Sequence, residues 1–94
     1  MSRGARTSFV IQLDDETRST LTRWLQSPRT SLRLGTRVRG VLLLAEGRPY
    51  ADTARRIGLS EPHLRKWAYR FLTQGAEGLL APGERRPRLA RKPR

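Results

Sequence analysis

Between Ser60 and Gln74 the sequence SEPHLRKWAYRFLTQ sets two groups of side chains on opposite sides of a helical repeat. Leu64, Trp67, Ala68 and Phe71 make one apolar face, while Pro62, His63, Lys66, Tyr69, Arg70 and Thr73 make the other. The second group supplies an imidazole, two cations, a phenol and a hydroxyl, with Glu61 at its N-terminal edge. None of them is matched to a nucleophile or a second base. The chemistry open to this face is therefore non-covalent: charge and hydrogen-bond donors presented to an anion.

The rest of the chain adds nothing from which a reaction could be built. His63 is the only histidine and there is no cysteine, so no metal site and no disulfide are expected. Asp14, Asp15 and Glu16 are adjacent, but at a helix start they serve as cap and dipole partners. No glycine-rich loop opens a helix in a phosphate-binding arrangement, no βαβ pattern is visible, and the serines have no base placed to activate them. The chain is expected not to be an enzyme and to need no cofactor.

Charge says what kind of partner fits. The 94 residues carry 20 Lys+Arg against 8 Asp+Glu, a net charge of +12, and most of these bases are arginine. Such an excess makes a field suited to a polyanion, and arginine is the better ligand for phosphate and for guanine. No apolar run reaches the length of a membrane span and no secretion signal is visible. A soluble, cytoplasmic protein with no membrane partner is expected, nucleoid-associated if the cell is bacterial.

The elements that must position the basic face form one small all-α domain. Asp14 caps a first helix whose inward stripe is Leu21, Trp24 and Leu25, and Ser27-Pro28 breaks it. A second helix spans about Leu32 to Glu46, with Leu34, Val38, Val41, Leu42 and Ala45 inward and Arg33, Arg37 and Arg39 outward. Gly40 suits a close helix approach. After Pro49 comes a short helix in which Ala54 leaves room for a crossing neighbour, Gly58 ends the helix, and Ser60 caps the next. Helix, glycine turn and basic helix together read as a helix-turn-helix that enters DNA. Residues 1–13 are expected to be a flexible or extended arm in which FVIQL packs on the bundle, and 14–81 the helical domain, with Gly78-Leu79-Leu80 folding back. Residues 82–94, with six bases against Glu84 alone, are expected to be a disordered basic tail.

From Leu34 to about Arg88 the chain resembles the N-terminal DNA-binding region of bacterial insertion-sequence transposases related to the mariner group. The segments RVRGVLLLAEG, YADTARRIGLSEPHLRKWAYRF and GAEGLLAPGERRPR carry the resemblance, in that order, and LDDETRSTLTRWLQS is similar to the family's first helix. The resemblance implies a homeodomain-like or paired-like module that binds the terminal repeats of a mobile element. Pro49 stands where the family has a small hydroxyl cap. The family's catalytic domain has no counterpart in this sequence, so cleavage and strand transfer are not carried over. A stand-alone binding protein, a truncated remnant and an excised domain all fit.

The expected contacts with double-stranded DNA follow. Pro62, His63, Lys66 and Arg70 face the major groove. Arg48, Arg55, Arg56, Arg65 and Tyr69 lie toward the backbone. In the tail, Arg85, Arg86, Arg88, Arg91, Lys92 and Arg94 suit a minor-groove or backbone arm. A homodimer on DNA is compatible with this. A basic RNA-binding or ribosome-associated protein shares the charge, but both tryptophans fall on core faces, leaving Tyr69 and Tyr50 for stacking. A protein-interaction module pairing through Leu42–Leu44 is the other alternative.

Overall fold

Asp14 does what its place before an acidic turn predicts. In the computed structural model, which describes residues 10–87, its Oδ1 accepts the Thr17 N–H at 2.7 Å and opens α1, Asp15–Gln26. Hydrogen bonds from the Thr17 side chain and backbone hold the Asp14 carboxyl below its ordinary range. Asp15 and Glu16 sit in the first turn, against the positive end of the helix dipole. Leu21 and Trp24 are buried, and Leu25 is half-buried beside them.

Ser31 repeats the device for α2, Leu32–Ala45, its Oγ accepting the Leu34 N–H at 3.0 Å. Leu34, Val38, Val41 and Leu44 enter the core, with Leu42 and Ala45 packed at its edge. The close approach expected at Gly40 is present. A Cβ there would lie 2.9 Å from Ile57 Cδ1 and 3.1 Å from Leu64 Cδ1, so a side chain on α2 at this point would make the ends of those two residues give way.

Arg37 departs from expectation. Arg33 and Arg39 are exposed as expected, but Arg37 is buried. Its Nη1 donates to the Leu79 carbonyl at 2.9 Å and to Glu84 Oε1 at 2.7 Å, and its guanidinium lies 4.2 Å from the Trp67 ring centroid. Helical phase puts Arg37 at the edge of the apolar stripe, and its long side chain reaches an anchor that lies far along the chain.

The third helix, α3 (Tyr50–Ile57), starts after Pro49, which gives no side-chain cap. The fourth, α4 (Glu61–Gln74), runs into a 3₁₀ turn, Gly75–Leu79. That turn folds back on α4 as expected: Leu79 is fully buried and Leu80 packs at the core edge. Before α1, Ile11 is buried and Leu13 partly so, while Val10 is exposed; Phe9 lies outside the described residues. After the turn, Glu84 Oε1 accepts the Ala81 N–H at 2.8 Å as well as Arg37, and Pro87 is buried. Residues 82–87 are thus held on the domain, and the expectations for Arg88, Arg91, Lys92 and Arg94 lie outside the described residues. Among the described residues there is no strand and no helix long and apolar enough to cross a membrane.

Candidate nucleic-acid interface

The turn between α3 and α4 is set by Gly58, whose φ of 79° is left-handed and whose N–H returns to the Ala54 carbonyl at 2.9 Å. The Leu59 N–H reaches the same carbonyl at 3.0 Å, so two donors close α3. Ser60 then opens α4 by accepting the His63 N–H on its Oγ at 3.2 Å. Ala54 and Ala68 are both buried in the core that α3 and α4 share, and Leu64, Trp67 and Phe71 complete the inner face of α4.

The opposite face of α4 is open. Pro62, His63, Lys66, Tyr69 and Thr73 are all exposed. Beside it, a cleft of about 250 Å³ is lined by Arg33, Thr36, Arg37, Ile57, Leu59 and His63.

Trp67 is the hub behind this face. Besides Arg37, Lys66 Nζ lies 5.4 Å and the Arg70 guanidinium 5.2 Å from its ring centroid, and the His63 ring is 6.3 Å away. A buried indole flanked by cations lowers the cost of keeping so much positive charge on one side of a small domain.

Arg70 is placed differently from Lys66. Expected beside it at the groove, it is half-buried and turned toward the 3₁₀ turn, where Nε donates to the Gly78 carbonyl at 2.9 Å and Nη2 to that of Leu80 at 3.3 Å. Those carbonyls end a turn that has no helix beyond it to satisfy them, and a guanidinium fork fits that need.

Three of the arginines expected near the DNA backbone converge on one carboxylate. Asp52 lies 3.0 Å from Arg56 Nε, 3.5 Å from Arg55 Nη2 and 3.8 Å from Arg48 Nη1. The hydrogen bond from Arg56, helped by the charges of Arg55 and Arg48, keeps its carboxyl below the usual range against a smaller opposing effect of desolvation. Arg55 and Arg56 nevertheless remain exposed, so the cluster orders positive charge and does not cancel it. Arg65 is more enclosed, 2.8 Å from Glu61 Oε2 and 4.5 Å from the Tyr50 ring centroid. In the described part of the tail, Arg85 and Arg86 are exposed, with Arg86 Nε 2.8 Å from Glu77 Oε2.

A glycine-closed helix pair, apolar within and cationic on the outer side of its second helix, is what the geometry assembles. A family model described as a helix-turn-helix domain matches residues 36–88, more than half of the chain. No curated protein and no solved structure matches it.

Proposed function

The chain belongs to the helix-turn-helix domain family, and from that premise we propose that it binds double-stranded DNA sequence-specifically and catalyses no reaction. The observation that carries the reading is the outward face of α4, where His63, Lys66 and Tyr69 stand exposed on a helix whose other side is fixed in the core. A helix held in this way can enter a major groove without ordering itself at the moment of binding. Arg48, Arg55 and Arg56, gathered around Asp52 at the start and along the side of α3, would meet the phosphates. The net charge of +12 would drive the encounter.

The finer reading is a transposase-type module that binds the terminal repeats of a mobile element, or regulates from a related site. The ordered segments from RVRGVLLLAEG to GAEGLLAPGERRPR support it. Selection from a pool of random duplexes, read by sequencing, tests the function. An enriched motif is expected, and terminal-repeat binding adds that the motif occurs at both ends of an element, inverted. Recovery of random sequence alone would reduce the protein to a non-specific polyanion binder.

A further inference from the structure

Among the described residues four large apolar side chains are strongly exposed, and two of them, Tyr69 at 54% and Leu72 at 43%, lie on α4. Exposed apolar surface on the side of a helix otherwise given to charge requires a reason. At 100° per residue, Pro62, Lys66, Tyr69 and Thr73 follow at i, i+4, i+7 and i+11 and fall in one stripe roughly 60° wide. All four are exposed. The Thr73 hydroxyl donates to the carbonyls of Tyr69 and Arg70, so it is committed to its own helix. Arg70 has been drawn off to the carbonyls of Gly78 and Leu80. Lys66 and Tyr69 bound this stripe on its two sides and are the side chains with reach in it, and Leu72 borders Tyr69 on the side away from Lys66.

One group on the base edges of a major groove suits an aromatic ring, and that is the C5-methyl of thymine. We propose that Tyr69 is a specificity-determining residue that reads a thymine by packing its ring on that methyl, with Lys66 beside it on the neighbouring base or phosphate. This rests on the reading of α4 as the helix that enters DNA. It differs from a backbone role for Tyr69, because a phosphate contact needs the phenolic hydroxyl as donor, whereas methyl packing needs only the ring.

The two roles separate in one experiment. In the duplex recovered by selection, each thymine is replaced singly by deoxyuridine, and affinity is measured for the wild type, Tyr69→Phe and Tyr69→Ala. Removing one packed methyl should weaken the wild type about fourfold at one or two positions. Tyr69→Phe should keep both the affinity and that sensitivity. Tyr69→Ala should bind the thymine duplex more weakly and be indifferent to uracil at those positions. The side chain is exposed, so its melting temperature should stay close to that of the wild type. Uniform affinity for every uracil duplex would overturn the proposal, as would Tyr69→Ala retaining the sensitivity. Equal losses for Tyr69→Phe and Tyr69→Ala on thymine and uracil duplexes would overturn it in favour of a hydroxyl–phosphate contact. Failure of the DNA-binding reading is distinguished at the outset, because the unaltered protein would then show no preference for the selected duplex over a scrambled one.

Discussion

Arg37 Nη1 lies 2.7 Å from Glu84 Oε1, and this contact ties the scaffold helix α2 to the chain that follows the 3₁₀ turn. Arg37 is the more enclosed partner, with the Trp67 ring on one side and the Leu79 carbonyl as a second acceptor. The pair decides where the basic segment leaves the domain. Arg37→Ala should cost about 3 kcal/mol, since it strips a partly buried carboxylate and a buried carbonyl of their donor. Glu84→Gln should cost roughly 1–2 kcal/mol, because Arg37 keeps its other acceptor. Burial raises the Glu84 pKa, but the Ala81 N–H and Arg37 more than offset it, so the carboxyl titrates below its reference value of 4.5. A depressed native pKa contributes stability that is full above the unfolded value and is lost as pH falls through the native one. The gap in melting temperature between wild type and Glu84→Gln should therefore be constant above about pH 5 and shrink as pH falls below 4.5 and through the lower native value. A gap that does not change with pH would mean that the carboxylate charge is not what holds the segment.

Gly78 should be the glycine least able to accept a side chain. A Cβ there would lie 2.2 Å from the Arg70 carbonyl oxygen and 2.7 Å from its carbon, both backbone atoms that cannot turn aside. Gly78→Ala should destabilise by about 1–3 kcal/mol, seen as a fall of several degrees in melting temperature. Gly40→Ala meets only the ends of Ile57 and Leu64, at 2.9 and 3.1 Å, and should cost less. The reverse order in a pair of melts would show that the turn docks more loosely than the helix crossing.

Removing residues 88–94 tests the basic tail without touching the Glu84 anchor or the buried Pro87. A tail that meets DNA predicts weaker binding to every duplex and a flatter plot of log affinity against log salt, by roughly 0.9 for each phosphate that the tail neutralises. A minor-groove arm adds that the weakening is greatest where an A·T tract flanks the site. Identical slopes for the full and shortened chains would leave DNA binding to the helices and the retained arginines.

Much of this was legible in local pattern. Asp14 and Ser60 each cap the helix they precede, and Gly58 closes α3, because these devices act over three or four residues and leave a signature in sequence; Ser31, which caps α2 in the same way, reads in the sequence only as part of the break after α1. Trp24, Val38, Leu64 and Trp67 sit in the core that their spacing assigns to them. What could not be read were contacts between distant parts of the chain. Glu84 looks like the lone acid of a basic tail, yet it pairs with a residue 47 positions earlier. The same contact turned Arg37 inward. Arg70 lies near the groove side by helical phase, but the carbonyls of a turn formed after it draw it away. A charged residue at the border of an apolar stripe can go either way, and the partner that decides it is set by the tertiary fold. Tyr69, expected toward the DNA backbone, shares the outward stripe with Lys66 by its i, i+4, i+7 spacing, and its ring is less conspicuous than the charges beside it.

Lys66 gives the most direct test, since it is the exposed cation on the outward stripe of α4. The measurement is the affinity of wild type and Lys66→Ala for the selected duplex and for a scrambled duplex of equal length at one salt concentration. The wild type should prefer its site by about a thousandfold or more. If Lys66 holds a base edge, the variant should lose roughly 1–3 kcal/mol on the selected duplex and much less on the scrambled one. Equal losses on both duplexes, or a wild type that does not distinguish them, would contradict the claim that α4 reads sequence.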